Sequence, residues 1–337
     1  PLALYDHLSS KRNQKQFNGV FNIEWEPIAG LKTRVDYSLN YSDQFTINAN
    51  MPIQAYDFQN QSFTGRWILG PNVPVSNDMI NSYKTMLNGR VSYNKTIAKN
   101  HEIGALAVYS EEYWNWRTLA GSRTGRVNPL LTELNAGTPD GQTNAGYSEE
   151  EGLRSFIGRI NYSAFNKYLV EFNARYDGSS KFYPGHQWGF FPSASVGWRF
   201  TEENFLSKLK EWGINSGKIR ASYGGLGNNR VVPRYEQREV LTGFNYVLGG
   251  SVIGGYSNNR MINRALSWEK VDILNLGLDL VVLKNRLSAE IDYYDRKTDG
   301  MIESLDISTL ISGMYMAPRH NIGQMRNRGV EGNFTWT

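Results

Sequence analysis

Leu31-Lys32-Thr33-Arg34-Val35-Asp36-Tyr37-Ser38-Leu39-Asn40-Tyr41 alternates strictly along its length. Leu, Thr, Val, Tyr, Leu and Tyr hold one parity; Lys, Arg, Asp, Ser and Asn hold the other. A β-strand sends successive side chains to opposite faces, so the segment predicts a strand with one apolar and one polar face. Its length suits a membrane-crossing strand, which takes about 9–11 residues. Alternation alone leaves two possibilities open: the apolar face meets a protein core, or it meets lipid.

The same alternation recurs at residues 17–25, 87–93, 101–109, 156–162, 168–176, 194–200, 219–223, 274–280, 287–293 and 330–336. The chain therefore predicts about eleven strands. Short turns are expected at 26–30, 98–100, 164–167 and 283–285. Long connections rich in Gly, Asn and Pro occupy 42–84, 110–153, 178–190, 225–267 and 298–328. The intermediate link 201–216 opens with Thr201-Glu202-Glu203-Asn204-Phe205-Leu206, which reads as a cap and a short helix. In an up-and-down sheet successive connections lie at opposite ends. The long loops then gather at one end and the short turns at the other, as in outer-membrane barrels.

A soluble β-sandwich or propeller also alternates apolar and polar residues. Three features count against it. Large aromatics cluster near the ends of the apolar faces, as in interfacial girdles. The polar faces carry charges strand after strand, as a wet lumen does. No propeller-like repeat of about 40–50 residues is visible. The expected fold is all-β, an antiparallel transmembrane barrel. Eleven strands is odd, whereas up-and-down bacterial barrels have even numbers. The chain also stops inside a strand, at Thr335-Trp336-Thr337. These points lead to the expectation of a segment of a longer chain, 1–337 forming one barrel segment with no internal boundary.

Composition changes this picture little. Only 40% of the 337 residues are hydrophobic, yet 13% are aromatic and 33 are Gly. That mixture favours a Tyr- and Gly-rich β protein. The mean hydropathy of −0.49 is no argument against a membrane, because a barrel alternates lipid- and lumen-facing residues. Cys is absent, which excludes disulfides and Cys-based metal sites. A net charge of +4 gives no reason to expect nucleic-acid binding. Pro1 opens directly into polar sequence with no signal peptide, so the chain is either cytoplasmic or lacks its beginning.

From residue 154 onward the sequence resembles a known family. Lys167-Tyr168-Leu169-Val170-Glu171-Phe172-Asn173-Ala174-Arg175-Tyr176-Asp177-Gly178-Ser179-Ser180-Lys181-Phe182 is similar to a signature of SusC/RagA-like TonB-dependent outer-membrane transporters of Bacteroidota. Trp188-Gly189-Phe190-Phe191-Pro192-Ser193-Ala194-Ser195-Val196-Gly197-Trp198-Arg199 continues the match. So do Lys218-Ile219-Arg220-Ala221-Ser222-Tyr223-Gly224 with Gly227-Asn228, Trp268-Glu269-Lys270, Asn275-Leu276-Gly277-Leu278-Asp279 and Asn285-Arg286-Leu287. Asp292-Tyr293-Tyr294-Asp295-Arg296-Lys297-Thr298 and Asn321-Ile322-Gly323-Gln324-Met325-Arg326-Asn327-Arg328-Gly329-Val330-Glu331 complete it. Residues 1–153 match in style only, from Pro1-Leu2-Ala3 into a hairpin and variable loops.

The resemblance implies a plugged barrel of about 22 strands, of which this chain supplies roughly half. It implies active import of oligosaccharides in the outer membrane, with a SusD-like surface lipoprotein as capture lid. Peptides are the alternative cargo. Coupling to TonB–ExbB–ExbD runs through an N-terminal part outside this chain, as does the plug. A dimer of transporter–lipoprotein pairs is a further implied assembly. A passive porin, an outer-membrane enzyme and a soluble sugar-binding β protein remain competing classes. Asp177-Gly178-Ser179-Ser180 reads as a turn cluster whose Gly supplies a positive φ, and Pro192 as the opening residue of a strand.

No catalytic constellation emerges. His7, His101, His186 and His320 lack metal-ligand spacing, and no metal or other cofactor is expected. Gly224-Gly225-Leu226-Gly227 is a weak nucleotide fingerprint, and Glu149-Glu150-Glu151 reads as solvated loop. The candidate substrate contacts are Tyr109, Tyr113, Trp114 and Trp116, interleaved with Glu112, Asn115 and Arg117. Tyr56, Phe58 and Trp67 form a second group; Tyr183, His186 and Trp188 form a third. Aromatic faces stack on sugar rings while amides and charges bond hydroxyls. The competing role for any of these rings is loop packing or the interfacial girdle. Arg34, Arg159, Arg175 and Arg220 on the inner faces are expected to pair with Asp and Glu across the lumen, not to bind substrate.

Overall fold

The structure, a computed structural model, describes residues 10–70, 72–258, 260–305, 307, 308, 310 and 316–337. Pro1-Leu2-Ala3 and His7 lie outside the described residues. The strands are β1 (Ser10–Ile28), β2 (Leu31–Ala49), β3 (Ile53–Asp57), β4 (Ser62–Leu69), β5 (Val75–Ile97), β6 (His101–Arg123), β7 (Thr143–Ala164) and β8 (Tyr168–Ser179). They continue as β9 (Trp188–Trp198), β10 (Ile214–Asn228), β11 (Leu241–Leu248), β12 (Ser251–Asn258), β13 (Glu269–Val282), β14 (Leu287–Ser304) and β15 (Arg319–Trp336). Eleven form one sheet in the order β1-β2-β5-β6-β7-β8-β9-β10-β13-β14-β15. The pairs β3–β4 and β11–β12 are separate hairpins inserted into long connections. Neighbours from β7 through β15 are antiparallel, so the sheet is a meander.

Each of the eleven alternating segments falls on one sheet strand, with a single frayed end. Alternation predicts strand over 194–200, but β9 ends at Trp198 and Phe200 opens a 3₁₀ turn. The link that follows holds two 3₁₀ turns, Phe200–Glu202 and Asn204–Leu206, and one α-turn, Lys208–Glu211, in place of a single short helix. The larger difference lies in the long connections. β2 runs on to Ala49, β5 starts at Val75, β6 reaches Arg123 and β7 starts at Thr143. Much of 42–84 and 110–153 is therefore strand. Alternation reveals a strand only where its two faces meet different media. The backbone ladder needs no such contrast and continues past it.

The short turns close with left-handed backbone: Ala98 and Lys99, Phe165 and Asn166, and Leu283, Lys284 and Asn285 all have positive φ. Such turns match the twist of antiparallel hairpins. Gly30, at φ +86°, lies under the neighbouring strand, where a Cβ would come within 2.3 Å of the Asn94 carbonyl oxygen. Gly178 has a different role from the one expected. It is part of β8, not a positive-φ turn residue, and a Cβ there would lie 2.8 Å from the Trp188 ring. Pro192 likewise sits inside β9, opposite Ala174, just where the ladder to β10 stops at Ser193.

The chain groups into two compact units. One holds the residues up to Phe21, Tyr37–Met86 and Glu112–Glu151; the other holds Asn22–Asp36, Leu87–Glu111 and Gly152–Thr337. The second carries the main buried cluster: Phe182, Phe191, Val232, Leu266, Trp268 and Ile302, with Leu153 against it. Trp268 packs on Phe182 and edge-on to Phe191, and its indole N–H donates to the Gln187 carbonyl at 2.9 Å. Gly227 is small because a Cβ would sit 2.1 Å from the Phe191 ring.

Several polar groups around this cluster are paired. Glu269 accepts from the Asn228 amide at 2.7 Å and from the Ile302 backbone N–H at 2.8 Å. The Asn229 amide donates to Ser179 Oγ at 2.9 Å. Asn321 bonds both backbone groups of Ser267 and the Gly300 carbonyl, each at 2.9 Å. Left unpaired, such buried groups would each cost about 1–3 kcal/mol. Motif segments far apart in sequence thus converge on one knot that fastens the connections β8–β9 and β10–β13 to the ends of β14 and β15.

Candidate functional site

The sheet has two chemically distinct faces. In the second unit Tyr168↔Trp198, Val170↔Val196, Phe172↔Ala194 and Tyr176↔Phe190 stand side by side on the apolar face. Leu276↔Tyr293, and then Tyr293↔Val330 and Ala289↔Phe334, continue it. These side chains are exposed: Phe172 is 48% accessible, Val196 54% and Phe334 64%. An apolar surface this continuous is foreign to a water-soluble monomer. Among the described residues no helix is long and apolar enough to cross a membrane, so any crossing is made by strands.

Amphipathic rings mark both edges of the apolar face. At the short-turn edge His101 Nδ1 lies 2.7 Å from the Tyr162 hydroxyl, and Phe165 stands edge-on to the imidazole. Beside them Tyr168 and Trp198 both donate to Glu203, at 2.5 and 3.2 Å. At the other edge Tyr176 stacks on Trp188 at 4.7 Å, Phe156 leans on Trp188, and Tyr109 packs on Phe156 at 5.4 Å. Two belts of rings with polar tips are what membrane interfaces select.

Glu203 gives a pH signature. Its carboxyl is held below the ordinary carboxylate range, first by the Tyr168 hydroxyl and then by the Lys167 ammonium at 3.1 Å. A lowered folded-state pKa stabilises the fold above the unfolded-state pKa, and that contribution is lost as pH falls through the folded value. The unfolding midpoint of the full-length protein in detergent should therefore drop on acidification through the carboxylate range. In Glu203→Gln that part of the slope should vanish. An unchanged slope would mean that Glu203 is not the linked group.

The four arginines expected to pair across the lumen pair locally instead, with carboxylates on their own or nearby strands. Arg34 bonds Asp36 at 2.7 Å, with Glu24 at 3.8 Å. Arg159 lies 3.8 Å from Glu171 and donates to Asn173 at 2.7 Å; Arg175 meets Asp177 at 3.1 Å. Arg220 bridges Asp279 at 3.0 Å and Asp292 at 2.6 Å, and Lys218 reaches Asp279 at 3.1 Å. Half-exposed pairs of this kind add about 0–1 kcal/mol each. Their consequence is a hydrated wall on which these charges are paired. Among the described residues no group of three or more His, Asp or Glu is placed to hold a metal ion.

The candidate rings sort by strand parity. Tyr109 and Tyr113 occupy odd positions of β6; Trp114 and Trp116 occupy even ones. Tyr109 belongs to the apolar face, where its hydroxyl donates to Glu111. Tyr113 lies 5.9 Å from Tyr83. Trp114 and Trp116 share the parity of Glu112, which binds Lys84 at 2.6 Å, and their rings are 5.6 Å apart. A group that is continuous in sequence is thus divided between two faces.

Tyr56 and Trp67 belong to the β3–β4 hairpin, not to irregular loop. Tyr56 stands edge-on to Phe58 and to Phe63, both at 5.2 Å, and Trp67 pairs with Gln54. Phe63 was missed, although Phe63, Gly65 and Trp67 share one parity around a bulge whose Gly65 has φ +74°. The third group also divides. Trp188 is part of the belt, whereas Tyr183 lies under the Arg264 guanidinium at 5.3 Å.

Comparison with known proteins agrees with this two-faced sheet. The family described as TonB dependent receptor-like, beta-barrel, matches residues 3–337. TonB-dependent receptor P3 of Formosa agariphila is 32% identical over 252 residues, covering 74% of this chain and 25% of that protein. TonB-dependent receptor SusC of Bacteroides thetaiotaomicron is 28% identical over 341 residues, covering 98% of this chain and 32% of that protein. The chain thus spans about a quarter to a third of the length of these curated relatives. Among solved structures, the RagAB peptide transporter superposes with a TM-score of 0.86 at 23% identity, over 98% of this chain and 35% of that one. This last likeness concerns the fold.

Proposed function

Since the chain belongs to the TonB-dependent receptor-like β-barrel family, an outer-membrane family, we propose that it forms part of the wall of an active importer. The carrying observation is the family match over residues 3–337, on a sheet with one apolar and one charged face. The apolar face meets lipid and the polar face lines the path of the cargo. The importer takes up oligosaccharides, powered by TonB–ExbB–ExbD through a part of the protein outside this chain. A SusD-like lipoprotein closes over the long-connection end, and pairs of the two proteins can dimerise. The likeness to SusC supports that partnership.

Trp114, Trp116, Tyr56 and Trp67 are assigned to cargo contact. Tyr109 and Tyr113, on the other parity of β6, are assigned to the belt. Transport of this kind needs no covalent step.

The test is uptake by a strain deleted for this protein, supplied with defined oligosaccharides or defined peptides, with and without a functional TonB. Loss of growth on one glycan class, reproduced by TonB disruption, is the expected result. Loss confined to peptides would overturn the cargo assignment. Growth on every substrate at wild-type rate would overturn the importer.

A further inference from the structure

The apolar face ends abruptly on β14 and β15. Tyr293↔Val330 is the last apolar pair towards the long connections; the next outward pair is Asp295↔Arg328, followed by Lys297↔Arg326. Arg326 binds Asp295 with two N–H groups, at 2.8 and 2.5 Å, and Arg328 reaches the same carboxylate at 3.2 Å. The Asp295 side chain is only 14% accessible, but Arg326 and Arg328 are 53% and 51% accessible. Two guanidinium groups therefore share one carboxylate on the lipid-facing side of the sheet.

Their surroundings do not cancel the excess. Lys297 is matched by Asp299 at 2.7 Å. On β13 the outward Lys270 and Asp272 stand opposite Asp299 and Lys297. The patch thus carries Lys270, Lys297, Arg326 and Arg328 against Asp272, Asp295 and Asp299. Lys297 and Arg326 are like charges placed directly opposite, an arrangement that costs free energy unless an anion lies between them. Elsewhere on the same side, Arg154 and Glu111 form a one-to-one ion pair at 3.1 Å, with the Tyr109 hydroxyl on the same carboxylate, and carry no such surplus.

We infer that Arg326 and Arg328 form a binding site for the phosphate of an anionic outer-leaflet lipid, seated where the apolar face gives way to the headgroup layer. Register fixes the depth: the guanidinium groups follow immediately on Tyr293 and Val330, so a lipid whose chains lie on the apolar face presents its phosphate there. Charge fixes the chemistry. Arginine forks bind phosphate oxygens in pairs, and Asp295 orients both forks from beneath.

The test is native mass spectrometry of the full-length protein in neutral detergent, titrated with phosphatidic acid, with the matching diacylglycerol, or with inorganic phosphate. Wild type should retain phosphatidic acid in preference to diacylglycerol, with no adduct from millimolar inorganic phosphate. Arg326→Gln/Arg328→Gln should reduce that preference by about fivefold per cation removed, while Arg154→Gln leaves it unchanged. Equal retention of the two lipids by wild type, a comparison that needs no variant, would overturn the proposal. So would an unaltered preference in the double variant, or binding of inorganic phosphate alone, which would make this a free-anion site.

Discussion

Replacing Trp268 with alanine in the full-length protein will lower its unfolding free energy by about 3–5 kcal/mol, the usual cost of removing a large buried aromatic ring. Trp268 is 6% accessible, touches Phe182 and Phe191, and holds the Gln187 carbonyl. Its loss leaves a cavity at the point where segments around 182, 191, 232, 266 and 302 meet. The measurement is the temperature at which the barrel loses its compact mobility on a gel, supported by tryptophan fluorescence. Trp188 supplies the contrast. It too lies in a family motif, but its ring is 39% accessible on the apolar face. Trp188→Ala should cost only about 0.5–1.5 kcal/mol, the worth of its stack on Tyr176. Equal effects from the two would show that the buried cluster does not fasten the long connections.

That contrast marks how far the sequence could be read. Wherever one face meets an apolar medium and the other water, as at Leu31–Tyr41 or Tyr168–Tyr176, period-two alternation places the strand and assigns its faces. Above that zone both faces meet polar surroundings, and the signal fades while the strand continues. β6 therefore runs to Arg123 through a stretch that reads as loop. The same fading hid the division of the candidate site. Tyr109, Tyr113, Trp114 and Trp116 look like one cluster in the sequence, and only a continuous strand separates them by parity. Gly178 departs from its expected turn role for a different reason. Its neighbour in space is Trp188, across a β8–β9 pairing that no local rule reveals. The surplus cation at Asp295 is equally invisible from local sequence, because it depends on the β14–β15 register.

The parity of β6 yields the prediction with the largest functional effect. Trp114→Ala/Trp116→Ala should weaken oligosaccharide uptake by about fivefold per ring, roughly 25-fold together, if each ring contributes about 1 kcal/mol by stacking. The loss should fall on half-saturation, not on maximal rate, because stacking acts on capture and not on energy coupling. Tyr109→Ala, five positions earlier on the opposite parity, should leave uptake within about twofold and act on membrane stability instead, since an aromatic pair such as Tyr109–Phe156 adds about 0.5–1.5 kcal/mol. Surface abundance must be equal in all strains, which outer-membrane immunoblots will establish. The comparison tests the two roles proposed for aromatic rings in this sheet. Equal loss from both variants would mean that the rings act through folding. No loss from the tryptophan pair, at equal abundance, would remove Trp114 and Trp116 from the cargo path and leave the β3–β4 hairpin, with Tyr56 and Trp67, as the remaining aromatic contact.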